Sequence, residues 1–367
     1  MVKTRLEQIA TEKTRIVNIG QLDTSQFQSI EIPTLEITTE ALWKLDTHAE
    51  IVRTLASGEV YGYLVTPQNS LDKVIRDVYL SQRQLVNSVH AGVDQEGVLL
   101  SAEDIRQHGN RIMGWWHSHK GVGLGHHSGE DDENFRVLRN AFFNNNLSSV
   151  PVKVKPHDGT DYTLKLDGSS KFLGFFFGNL TPTLEYIFQP QRKLENLKPL
   201  GSDWFQWDLA VRSGYSLIAL DRGQRPYIEI AYQNPFGSAP DIKSEILIFK
   251  GMPIIRYATR NFSQKSTGDL KQEVRIYVEE VKKRVTTSGG PITGNLSSQQ
   301  LDRLVDYSGN PTFISIPERS EREYYEMVEK AKSPELWNVN AAQGQKRSVL
   351  KFLSTLEKPR DYKAELE

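Results

Sequence analysis

Residues 111–131 read Arg-Ile-Met-Gly-Trp-Trp-His-Ser-His, then Lys-Gly-Val-Gly-Leu-Gly-His-His, then Ser-Gly-Glu-Asp. The first part, Arg111–His117, has the apolar density of a buried strand. The last part opens a helix that carries Phe135, Leu138 and Phe142 on one side. A buried strand thus passes through glycines into an amphipathic helix. Four of the eight histidines fall within residues 117–127. His117 and His119 are two apart on the strand, so both imidazoles point to one side. The glycines let the chain fold back sharply, returning it to Ser128 and Asp131, which lie at i and i+3 on one face of the helix. Two imidazoles and one carboxylate leave a fourth tetrahedral position for water, the pattern of a catalytic zinc site.

Composition narrows the chemistry. The chain has no cysteine, so thiol nucleophiles, disulfides and cysteine-based metal sites are excluded, and a zinc ion must be held by histidine and carboxylate. A net charge of −1 argues against a general electrostatic grip on nucleic acid or an anionic membrane. Phe172–Gly178 is the longest dense apolar run and is far too short to span a bilayer. The opening residues, MVKTRLEQIATEKTR, lack the apolar core of a signal peptide. The expectation is a cytoplasmic protein.

At 367 residues the chain has room for two or three domains. Residues 1–30 read as a polar arm with Leu6, Ile9 and Ile16 in loosely helical spacing. Thr34–Thr38 alternates like a strand, and Thr38 or Thr39 then caps a helix with Leu42, Leu45, Ala49 and Val52 on one face. Gly58 ends it, and Val60–Val65 reads as a strand. Further strands are expected near 74–80 and 84–91, and a short helix from Ser101-Ala-Glu-Asp104. Residues 150–188 are β-rich, residues 189–203 form a polar joint, and 215–220 pairs with 227–232 as a hairpin. A long amphipathic helix runs from Leu270 to Val285, with Glu279–Lys283 and Glu280–Arg284 at i,i+4. Its polar face mixes both charge signs, which fits packing better than membrane contact. Thr286–Pro291 breaks it, and two more helices are expected near 320–332 and 345–357.

The order of these features resembles the JAMM (MPN+, or JAB) metalloprotease family, whose signature is His-x-His, a spacer, then Ser-x-x-Asp. Trp115-Trp-His-Ser-His119 and Ser128-x-x-Asp131 match it, and Glu59-Val-Tyr-Gly62 stands where that family places its glutamate. The similarity covers roughly residues 34–145. It implies an α+β fold, an α/β/α sandwich with a mixed curved sheet flanked by helices over residues 31–235, in which about 145–210 is either core or an insertion. Residues 236–367 would then be an accessory region, mainly helical towards its end. It also implies one zinc ion on His117, His119 and Asp131, Glu59 as general base and acid, and Ser128 stabilising the oxyanion. The activity implied is cleavage of isopeptide or peptide bonds after the C-terminus of ubiquitin or a ubiquitin-like protein. A JAB hydrolase of a different amide and a non-catalytic MPN scaffold are the alternatives. The C-terminal helices are candidates for docking a partner protein.

Two positions depart from the family pattern. The spacer, residues 120–127, is eight residues rather than seven, and Lys120 stands where the family usually has proline. Several residues have plainer readings. Ser128 and Asp131 also make a helix N-cap with an acid in the first turn. Asp132 is an alternative to Asp131 that breaks the Ser-x-x-Asp spacing. His126 and His127 read as loop residues, at best touching substrate or the ligands. Trp115 and Trp116 read as core and site wall. The glycines at 121, 123 and 125 lack the ending of a phosphate loop.

Overall fold

The computed structural model describes residues 14–18, 33–70, 73–87, 90–119, 127–166, 184–190, 193–220, 226–236, 245–252, 254–257, 264–305 and 314–316, and positions 173, 176, 259 and 262. The helices expected near 320–332 and 345–357 lie outside these residues.

In chain order the elements begin with strand β1 (Thr14–Asn18), strand β2 (Leu35–Thr38), helix α1 (Thr39–Ala56) and strands β3 (Tyr61–Pro67), β4 (Asp77–Leu80), β5 (Gln84–Asn87) and β6 (His90–Val93). Helix α2 (Gln95–Gln107), strand β7 (Asn110–Ser118) and helix α3 (Gly129–Asn145) follow. Next come strands β8 (Leu147–Pro156), β9 (Tyr162–Leu166), β10 (Leu184–Phe188), β11 (Lys198–Gly201), β12 (Trp204–Ala219), β13 (Tyr227–Gln233), β14 (Ile246–Lys250) and β15 (Ile254–Tyr257). The described chain ends with helix α4 (Thr267–Arg284), strands β16 (Val285–Thr287) and β17 (Gly290–Pro291), helix α5 (Ser298–Val305) and strand β18 (Ile314–Ile316). This is a mixed α/β fold with five helices and three sheets among the described residues.

The main sheet runs β1-β14-β13-β12-β7-β3-β4. Strand β7 lies near its middle, antiparallel to β3 and parallel to the second half of β12. The first half of β12 pairs instead with β8, which leads on to β9 and β10. The strands described within residues 145–210 thus extend the same sheet.

Local chemistry explains where the helices begin. Thr38 caps α1, its hydroxyl accepting from the Ala41 N–H at 3.2 Å, and Leu42, Leu45, Ala49 and Val52 are all buried. The helix ends at Ser57, which takes the left-handed conformation, and not at the expected Gly58. Gly58 lies at a close approach, since a Cβ there would sit 3.0 Å from the Asn87 carbonyl of β5. Helix α2 starts earlier than expected, because Asp94 caps it by accepting from Gly97 N–H at 2.6 Å. Ser101 lies mid-helix and donates back to the Gly97 carbonyl at 2.6 Å. Ser128 and Ser266 cap α3 and α4 with full capping boxes, closed by Asp131 and Asp269.

The segment after residue 235 continues the sheet and the core. Strand β14 pairs with β13, β15 pairs in parallel with β2, and Val274, Val278 and Val281 of α4 share a hydrophobic cluster with Leu42, Trp43 and Leu45. The division expected at 235/236 therefore falls inside a continuous structure. Glu280 pairs with Arg284 as anticipated, whereas Glu279 takes Lys282. The N-terminal arm also needs correction: residues 14–18, with Ile16 among them, form a strand parallel to β14. Among the described residues, no helix is long and apolar enough to cross a membrane.

Glycine matters most where β7 meets β12. A Cβ on Gly114 would run into the Tyr215 carbonyl, so only glycine allows the two strands to close. Gly129, in the first turn of α3, has open space around it. Gly114→Ala is expected to lower the unfolding free energy by about 1–3 kcal/mol in urea titrations, and Gly129→Ala to leave it unchanged or raised. Equal stability for the wild type and Gly114→Ala would contradict the packing described.

Candidate metal centre

The last residues of β7 and the first turn of α3 meet above the sheet. The Nε2 atoms of His117 and His119 are 3.0 Å apart. Asp131 completes a triangle, with Oδ1 3.2 Å from His117 Nε2 and Oδ2 3.3 Å from His119 Nε2. Both imidazoles are buried and the carboxylate is nearly so. Zinc with ligands about 2.0–2.1 Å away places tetrahedral donor atoms roughly 3.3 Å apart. The triangle has the edge lengths such an ion requires, and two imidazoles with a carboxylate are a donor set that suits zinc.

Asp131 is oriented from its own helix. Ser128 donates to Oδ2 twice, from its N–H at 2.8 Å and its hydroxyl at 2.7 Å. The Ser128 hydroxyl in turn accepts from the Asp131 N–H at 3.2 Å. The single hydroxyl proton of Ser128 is thus committed to Asp131 in this geometry. Burial works against ionisation of Asp131, but hydrogen bonds from His117, His119 and Ser128 outweigh it and hold the carboxyl far below the usual range. Burial pushes His117 down from the ordinary 6.5 to about 4, only partly opposed by Asp131. Trp115 stacks on this ring with centroids 4.7 Å apart, so it forms a wall of the site as well as core.

Glu59 precedes β3 and is half-buried. Tyr61 faces His117 in the antiparallel ladder, and Ser118 N–H donates to the Val60 carbonyl at 2.9 Å. Glu59 is the residue before Val60, so its backbone lies next to the end of β7 that leads into His119. Three bonds hold its backbone in place. Glu59 N–H donates to the Asn87 carbonyl at 3.2 Å, Val60 N–H to Ser118 Oγ at 3.0 Å, and Tyr61 N–H to Gln84 Oε1 at 2.9 Å. Ser118, the middle residue of the His-Ser-His triplet, therefore ties the Glu59 segment to β7.

Lys120 to His126, including most of the longer spacer, lie outside the described residues. His127 lies in the loop before α3, as expected, but it is not a solvent-facing residue. Its ring is fully buried, with Nε2 2.7 Å from Ser216 Oγ and Nδ1 3.3 Å from carboxylate oxygens of Asp132 and Glu229. Burial lowers its pKa, but these two carboxylates outweigh that and leave it raised. The sequence reading missed Ser216, Glu229 and Lys250. The one local signal was a lone carboxylate in the apolar run Tyr227-Ile-Glu-Ile-Ala-Tyr232.

No family model matches the chain, and no curated protein matches it. Among solved structures, the solution structure of a protein from Desulfitobacterium hafniense is similar at 19% identity, over 37% of this chain and 87% of that one. Its TM-score of 0.23 gives that likeness no weight for fold or function.

The lowered pKa of His117 gives a direction for acid stability. A histidine whose folded pKa lies below its unfolded value binds fewer protons when folded, so the contribution is present above about pH 6.5 and lost as the pH falls towards 4. The metal-free protein is expected to melt at progressively lower temperature across that window. His117→Asn should flatten the slope, and an unchanged slope would contradict the burial described for this ring.

Proposed function

We propose that this chain is a zinc-dependent hydrolase of the JAMM type, with the α/β/α arrangement of that family. Its substrates are isopeptide or peptide bonds at the C-terminus of ubiquitin or a ubiquitin-like protein. The observation that carries this reading is the triangle of His117 Nε2, His119 Nε2 and the Asp131 carboxylate, with edges of 3.0 to 3.3 Å, and the Glu59 segment bonded to Ser118 between the two histidines. A non-catalytic scaffold has no use for a closed set of metal donors beside a positioned carboxylate.

When bound, zinc supplies a Lewis acid that brings the pKa of a water down to about 7. The residues of this chain do the rest. His117 enters the site neutral, because burial holds its pKa at about 4. Asp131 enters ionised and fixed by its capping box. Glu59 takes the proton from the attacking water and delivers it to the leaving amine. Ser128 swings its hydroxyl from Asp131 to the developing oxyanion. Trp115 and Tyr61 pack beside His117 and keep bulk water from that side. An extended C-terminal tail reaches the site by pairing along a strand edge, a common mode of peptide recognition.

Glu59→Gln tests the base. Its turnover on ubiquitin-like isopeptide or C-terminal amide substrates should fall by about 10²–10⁴-fold, with zinc content equal to wild type. Undiminished turnover removes Glu59 from the mechanism. Absence of cleavage by zinc-loaded wild type across ubiquitin-like linkages removes the substrate class.

A further inference from the structure

Beside the metal triangle, the sheet carries a second polar assembly that the proposed hydrolysis does not use. Along one rung, cross-strand partners run Tyr63, Trp115, Ser216, Glu229 and Lys250, on β3, β7, β12, β13 and β14. Partners on a rung share a face. A hydroxyl, a carboxylate and an ammonium thus line up where strands this deep ordinarily carry aliphatic residues. His127 sits over the rung, bonded to Ser216 and within 3.3 Å of Glu229 and Asp132. Lys250 Nζ bridges the two carboxylates, 3.0 Å from Glu229 Oε1 and 3.1 Å from Asp132 Oδ1. Tyr227 donates to Glu229 at 3.0 Å.

Two obvious uses of this cluster fail on physical grounds. The order Ser216, His127, carboxylate has the connectivity of a nucleophile, its base and an orienting acid. Yet Ser216 and the His127 ring are fully buried, so no substrate carbonyl reaches that hydroxyl. His127, Asp132 and Glu229 also lie close enough to hold a cation, but the Lys250 ammonium already occupies the space between the carboxylates.

The cluster's covalent neighbours indicate its use. His127 immediately precedes Ser128, and Asp132 immediately follows Asp131. The four residues from Ser128 to Asp131 are therefore pinned at both ends onto β12, β13 and β14. The strand bearing the two histidines shares the rung through Trp115, whose ring lies 4.7 Å from His117 and 6.2 Å from His127. We infer that His127, Asp132, Glu229 and Lys250 form a positioning clamp, which fixes Asp131 against His117 and His119. This rests on the zinc reading above. The four are positioning residues that act through Asp131 and touch neither metal nor substrate.

Zinc affinity, measured by competition with a chromophoric chelator on the full chain, tests the clamp. His127→Gln and Glu229→Gln should bind zinc about 10–100-fold more weakly than wild type, still reaching one ion per chain at saturation. Asp132→Asn, at a half-exposed position, provides a variant whose folding is less at risk, and should shift affinity in the same direction. Phe142→Leu, in the core of the same helix, serves as the control: it should lower the melting temperature and leave zinc affinity unchanged. Wild-type affinity in the clamp variants, or an equal loss in Phe142→Leu, overturns the inference. If wild type binds no zinc, the hydrolase reading falls separately, and the clamp is then read from hydrogen exchange. His127→Gln should remove protection of the Asp131 and Asp132 amides, and retained protection overturns the clamp.

Discussion

Strand β7 is held on both edges, antiparallel to β3 and parallel to β12, and its final residues cannot slide without shearing both ladders. Side chains alternate along a strand, so a slip of one residue would turn His117 and His119 to the opposite face. Gly114 permits the close seam with β12, and the seam in turn fixes the register of the histidines. At the end of β7, Ser118 bonds both the N–H and the carbonyl of Val60, next to Glu59. One strand register thus sets two of the groups that the proposed chemistry needs, and the same strand holds the segment of a third.

The fourth, Asp131, comes from a different element and has to be brought to the strand. Part of the solution is local, since the capping box orients the carboxylate within its own first turn. The other part is long-range. Buried charges are costly unless paired, and Glu229, fully buried on β13, has Lys250, His127 and Tyr227 around it. A helix terminus tied to such a cluster has few alternative positions. Shifting it would strand a carboxylate, an imidazole or an ammonium without its partner. The polar rung thus does for α3 what the backbone ladders do for β7.

How much of this was legible in sequence follows from the range of each interaction. The two-residue spacing of His117 and His119 on an apolar strand and the Ser-x-x-Asp cap depend on neighbours in sequence and could be read directly. So could the buried face of α1, set by Leu42, Leu45, Ala49 and Val52. Glu229 could not, because its partners come from α3, its connecting loop and β14. Residues 14–18 form a strand only because Ile246–Lys250 offers a free edge. The start of α2 was misplaced for a different reason. Ser101 has capping chemistry, but the structure shows it mid-helix, bonding back to Gly97, while Asp94 caps the helix. The boundary near 235 came with the family resemblance, whereas β14 pairs with β13 across it and α4 packs on α1, far earlier in the chain.

The central claim is that His117, His119 and Asp131 hold a zinc ion with one position left open. X-ray absorption at the zinc edge, on protein loaded with one equivalent and dialysed, tests it most directly. The account predicts a four-coordinate ion with two imidazoles and two oxygen ligands at about 2.0–2.2 Å, and loss of the imidazole signature in the His117→Ala, His119→Ala double variant. An all-oxygen shell without imidazole scattering, or an unchanged spectrum in that variant, would contradict it.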